Sequence, residues 1–290
     1  MTDTREPGGT VDDLDRGDRS RAVDRRTFLG GLGGLGGAGL AAWLGLDLLG
    51  EEQGDSWGGA PATTRRGILR LRLKATRLPE MARFYGEVMG FGVAASPRAL
   101  TVEAGGTRLH FEQAAEGGQP IYHVAWAVPE NKLALAKAWL AARTPLLVHP
   151  DGRDEFHFRS VNRHAVYFAD PAGNVLELIA RHNLDDGTAG PFTLADVLYV
   201  NHAGLVVDDL PGSVRDLETG LGLGLRAEPT PDFAQLGDEH RHVVLVTRKR
   251  LWLPELKVPA EVFDTEIVLH GTPSKRLAFE SHPHRVAIEA

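Results

Sequence analysis

The sequence predicts an α+β fold of repeated βαβββ units, whose strands form cupped antiparallel sheets with the helices on the outside. Three observations predict it. A stretch that alternates apolar and polar residues passes into helical spacing and stops at a glycine. The same succession recurs along the chain. The segments between are short and carry turn residues such as Gly-Gly and Pro-Ala-Gly-Asn.

The first unit spans about residues 67–113. In "ILRLRLKATRLPEMARFYGEVMGF", Leu69, Leu71 and Leu73 alternate with Arg70, Arg72 and Lys74, as in a strand with one buried face. Pro79 suits the first turn of a helix. Met81, Phe84, Tyr85 and Val88 then repeat at helical spacing, and Gly90 ends the helix. "ALTVEA" and "TRLHFEQA" complete the unit as strands joined by "GG". The second unit, about 120–182, opens with "IYHVAWAV". It continues through a helix to "HAVYFAD", the "PAGN" turn and "VLELIARH". Together the two units are expected to form one paired body over 63–185. A third, divergent unit is expected over 196–290, opening with "YVNHAGLVVDDLPGSVRDLETGLGLGL".

Residues 1–62 read differently. Residues 1–24 are polar and charged, with the composition of a disordered segment. Arg25 and Arg26 then precede Thr27, Phe28, Leu29 and a Gly/Leu/Ala stretch that runs to about Leu49. This pattern resembles a twin-arginine export signal, with "APA" at Ala60–Ala62 as a cleavage site. It implies export across the cytoplasmic membrane, with a tether to that membrane if the signal is retained. No other membrane contact is expected.

Composition narrows the chemistry. The chain has 290 residues, a formal net charge of -7, no cysteine and 12 histidines. The charge and the lack of a basic stripe argue against nucleic acid as a partner. Without cysteine, any metal must be held by His, Asp and Glu. No P-loop, dinucleotide fingerprint or Ser-His-Asp pattern is present.

One stretch concentrates the question. In "DPAGNVLELIARH", Glu177 stands inside an apolar strand between Leu176 and Leu178. A carboxylate there is costly to bury without a partner. His123 shares its strand face with the small residues Ala125 and Ala127. His110 lies between Leu109 and Phe111.

"LPEMARFYGEVMGF", "YHVAWAV", "DPAGNVLELIARH" and "HAGLVVDDLPGSVRDLETGLGL" together resemble the vicinal oxygen chelate superfamily. This superfamily includes glyoxalase I, extradiol dioxygenases and bleomycin-resistance proteins. The resemblance implies two units paired into a cup, with metal ligands on the first and last strand of each. Position by position it implies His110, His123 and Glu177 as ligands of a divalent metal, Fe, Mn or Zn. The fourth ligand position carries Arg70, which cannot bind a metal. Arg70 and Arg72 are then expected to hold a small anionic molecule. His164 is expected to move a proton, with Tyr167 on the opposite face. His202 occupies the first-strand position of the third unit and would join only if the second and third units pair.

Two functions stand at this point. One is a metal-dependent enzyme, dioxygenase-like or glyoxalase-like. The alternative is a metal-free small-molecule binding protein of the bleomycin-resistance kind, in which Glu177 pairs with His123 or Arg70. The third unit pairs within the chain or across a homodimer, and the sequence leaves both open.

Overall fold

The computed structural model describes residues 66–290. The expected export signal and its cleavage site lie outside the described residues. Fourteen strands and three α-helices, with short π and 3-10 turns between them, follow one another among the described residues. The first unit is β1 (Ile68–Ala75), α1 (Leu78–Arg83), β2 (Gly92–Ala95), β3 (Ala99–Ala104) and β4 (Thr107–Gln113). The second is β5 (His123–Val128), α2 (Leu133–Ala141), β6 (Phe156–Phe158), β7 (Arg163–Ala169) and β8 (Val175–Arg181). Then come β9 (Tyr199–Val207), α3 (Leu210–Asp216), β10 (Phe233–Gly237) and β11 (His242–Thr247). The described residues end with β12 (Thr265–His270), β13 (Lys275–Ala278) and β14 (His284–Glu289).

Within each unit the first and last strands run parallel and the other neighbours antiparallel. Thus β1 lies beside β4, and β5 beside β8. The segment expected to be one third unit divides in two. β9 pairs with β11 in parallel, and β12 separately pairs with β14 in parallel. The last set keeps the strand order but has no helix, which is why the helical period could not announce it.

The pairing between units is nested. β5 pairs antiparallel with β9, which joins the second unit to the third. β1 pairs antiparallel with β12, which joins the first unit to the last strands. The first and second units therefore do not share one cup, and the chain completes both cups without a second copy.

The helix side of the sheets carries the larger core, with Trp126, Phe168, Leu176 and Leu178 buried in it. A second cluster lies in the cup of the second and third units and includes Phe156, Tyr167, Val244 and Trp252. The other cup is charged. Arg72 stands opposite Glu266 in register and donates to it at 3.2 Å, and to Glu112 at 3.2 Å. Lys74 also pairs with Glu112. Among the described residues no helix is long and apolar enough to cross a membrane.

Candidate metal centre

The turn singled out in the sequence sets the register of the site. Asp170 Oδ1 accepts from the backbone N–H groups of Ala172 (3.0 Å) and Asn174 (3.1 Å). Tyr85 Oη donates to Asp170 Oδ2 at 2.9 Å, which ties the turn to the first helix region. Asn174 Oδ1 accepts from the Tyr122 N–H at 2.9 Å, just before β5 begins. Gly173 takes φ 91°, which a side chain would strain. The turn thereby fastens β8 to β5, so that Ala125 lies beside Glu177. A bulge in the β5–β9 ladder at Asn201 shifts the register between Ala125 and Trp126 and sets His202 opposite Ala125.

His123, Glu177 and His202 converge there, all buried. Glu177 Oε2 lies 3.3 Å from His123 Nε2 and 3.5 Å from His202 Nε2. The two Nε2 atoms are 3.2 Å apart. Their other nitrogens are spoken for. His123 Nδ1 faces the Val175 carbonyl at 3.1 Å, which can only accept. His202 Nδ1 faces Asn201 Oδ1 at 3.2 Å. The Asn201 amide is oriented by its own Nδ2, which donates to the Glu239 and His240 carbonyls at 2.8 and 3.0 Å. In its neutral form each imidazole therefore carries its proton on Nδ1. Two Nε2 lone pairs and a carboxylate oxygen then point at one spot with no donor between them. Glu177 Oε1 is buried and has no hydrogen-bond partner among the described residues. Such a group calls for a cation, and the three residues fit one: ligand atoms of all three lie within 4.8 Å of one another. Two imidazoles and a carboxylate suit Fe(II), Mn(II) or Zn(II).

Burial alone would raise the Glu177 carboxyl; hydrogen bonds from its two imidazole neighbours, when these carry a proton on Nε2, together with the charges of His202 and Arg163, turn this into a shift well below the usual carboxylate range. Burial pushes His202 down to about 3, so it is neutral at ordinary pH. His242 packs against His202 with its ring tilted, centroids 4.5 Å apart, and burial lowers it well below the usual value too. Arg181 is lowered to about 9 by burial, and still carries its charge at neutral pH.

A small cavity opens from the three residues to solvent. Arg163, Tyr167, Gln235, Val244, Arg250 and Trp252 line it. Val244 lies beside Gly204 as Glu177 lies two residues beyond the pairing partner of His123, so β11 offers an apolar side chain where β8 offers a ligand. The strands thus offer three candidate ligands. The Trp252 indole lies over His123 with ring centroids 5.5 Å apart. It has room because position 204 is glycine: a Cβ there would stand 2.7 Å from the indole Cη2.

The structure brings together His123 and Glu177, as the sequence paired them, and adds His202. It does not bring in His110. That side chain is 38% exposed, with Nδ1 3.1 Å from Thr101 Oγ1 and Nε2 3.9 Å from Glu112. The reason is the nested pairing, which turns the first unit's inner face toward β12 rather than β5. Arg70 and Arg72 follow it: Arg70 pairs with Glu289 at 2.5 Å, and Arg72 with Glu112 and Glu266. His164 lies on the helix side, stacked on His157 with centroids 3.9 Å apart and 2.7 Å from His182 Nε2. Tyr167, expected on the opposite face, is the one that stands in the cup beside Glu177. Arg163 was missed. Its only signal was parity: it lies an even number of residues from Tyr167, opposite Glu177.

No family model matches the chain, and no curated protein matches it. Solved structures do. A putative dioxygenase from Bacillus subtilis is 15% identical, with 78% of this chain and 86% of that one covered at a TM-score of 0.50. The chain has the vicinal oxygen chelate fold. Glyoxalase I from Zea mays is 17% identical over 77% of this chain and 92% of its own, at a TM-score of 0.45. A glyoxalase/bleomycin resistance protein/dioxygenase from Alicyclobacillus acidocaldarius matches 40% of this chain over 91% of its own, 18% identical, at a TM-score of 0.33.

Proposed function

We propose that this protein is a divalent-metal enzyme acting on a small molecule through His123, His202 and Glu177. The reading is carried by one observation: two Nε2 lone pairs and a carboxylate converge without a donor. A cation bound there would take up two neighbouring oxygens of the substrate and draw charge from them. The chain's own part is positioning. The Val175 carbonyl and Asn201 hold the imidazoles in the ligating tautomer. Trp252 and Val244 wall the site with apolar surface. Three protein ligands with open positions favour dioxygenase-like over glyoxalase-like chemistry. Export through the twin-arginine-like segment at Arg25 and Arg26 belongs to the same proposal, since that route suits a protein folded around its metal in the cytoplasm.

The test is metal analysis of anaerobically purified protein reconstituted with Fe(II), Mn(II) or Zn(II). About one metal per chain is expected, with loss in His202→Ala. Wild-type protein that retains none of the three sinks the proposal. Oxygen uptake on a panel of vicinal diols then separates dioxygenase from non-redox chemistry. Replacing Arg25 and Arg26 by Lys should stop export, and unchanged export would refute that part.

A further inference from the structure

We infer that Arg163 is the substrate's anion receiver, so that the molecule bound at this site carries a carboxylate or similar oxyanion apart from its metal-facing oxygens. The inference rests on the metal reading above. Arg163 is 4% exposed and lines the cavity. Its Nε and Nη1 are buried without a hydrogen-bond partner, and no ion pair reaches it among the described residues. The guanidinium lies over the Phe158 ring, 4.2 Å from its carbon to the centroid. A buried guanidinium is costly when unpaired, and its rigid fork suits a carboxylate.

The neighbouring charges point the same way. Arg181 and Arg226 both pair with Glu239, at 2.8 and 3.0 Å. With Glu177, two carboxylates thus face three guanidiniums. A divalent cation on Glu177 would widen the surplus of positive charge. Two further polar groups of the cavity wall are buried without partners: Gln235 Oε1 and Trp252 Nε1. The oxygens of an anion would accept from Arg163 and Trp252 Nε1, and a hydroxyl of the same molecule would donate to Gln235 Oε1.

Spacing limits the shape. Tyr167 stands beside Glu177, and Arg163 lies four residues back along β7. At ~3.3 Å per residue that is roughly 13 Å between α-carbons. The anionic group and the metal-facing oxygens therefore belong to different parts of the bound molecule.

The experiment compares two chelating probes, catechol and 3,4-dihydroxybenzoate, which differ by one carboxylate across the ring. Affinities are measured by calorimetry on metal-loaded wild type, Arg163→Met and Arg163→Lys. Wild type should prefer the carboxylated probe about 10- to 100-fold. Arg163→Met should lose that preference at unchanged metal content, and Arg163→Lys should keep part of it. Absence of the preference in wild type, or its survival in Arg163→Met, overturns the inference. Arg163→Lys decides alone if the methionine variant fails to fold: full retention of the preference counts against us. Benzoate on metal-stripped protein separates this from the metal reading. Binding to wild type that falls at least about tenfold in Arg163→Met supports the anion receiver even if no metal binds. Equal or absent benzoate binding in a protein that takes no metal overturns it.

Discussion

Glu177→Gln should stabilise the metal-free protein and abolish its response to metal. In the wild type the carboxylate faces two Nε2 atoms, 3.3 and 3.5 Å away, whose protons sit on Nδ1. At pH 8 the metal-free site must either leave these lone pairs opposed or hold an extra imidazole proton. The second choice costs about 2 kcal/mol, taking ~1.36 kcal/mol per pH unit above an ordinary imidazole value of ~6.5. A glutamine at 177 brings its own N–H donor and removes a buried charge. One regained hydrogen bond adds about 1 kcal/mol, so the net relief is about 1–3 kcal/mol. In a chain of this size that is a rise of roughly 2–12 °C in melting temperature. Metal reverses the order. A cation at 100 times its dissociation constant stabilises the wild type by about 2.7 kcal/mol, and the variant hardly at all. Scanning calorimetry at pH 8, first in chelator and then with Mn(II), reads both effects. The reasoning is refuted if the wild type melts above the variant in chelator, or if Mn(II) raises both equally.

Three other outcomes are expected. His110→Ala should leave metal content unchanged, because His110 is half in solvent beside Thr101 and Glu112; a lost metal would show that the first cup feeds the site. Gly204→Ala should drive the indole of Trp252 off His123 and cost about 1–3 kcal/mol, read by denaturant unfolding and tryptophan fluorescence. A spectrum and midpoint equal to wild type would refute the close approach. Stability of the metal-free protein should fall with pH below about 6.5. His202 and His242 are depressed in the fold, so the unfolded chain takes up their protons first. Two such protons give a slope of about 2.7 kcal/mol per pH unit. A flat profile from pH 6.5 to 5 would contradict neutral burial of both histidines.

The local features were legible because they are local. Alternation in β1, the Asp170–Asn174 turn and the lone carboxylate in β8 are properties of neighbouring residues. They placed Glu177 and His123 in one cup. The pairing between units was not legible, because it is decided between strands far apart in the chain. A cue existed in charge: the arginine face of β1 meets Glu266 on β12 in register, but the register has to be known first. His202 was visible only as a conditional ligand, and the β5–β9 ladder meets that condition. His164 and Arg163 show how parity decides a role. They are neighbours on β7, one on each face, and only the partner strand tells which face is the cup.

The nested pairing also sets an order in time. β5 and β9 are separated by one unit, so the inner cup can close soon after its strands leave the ribosome. β1 must wait for β12: Ile68 pairs with Leu269, which lies 201 residues further along the chain. At ~5–20 residues per second, roughly 10–40 s of synthesis pass before its partner exists. For that interval Leu69, Leu71 and Leu73 lie on a strand with an unsatisfied edge, the kind of surface chaperones recognise and aggregates grow from. A chain cut short of residue 265 would keep the metal-binding strands and lose the strand that quenches this edge. Its solubility, rather than its metal content, should register the loss.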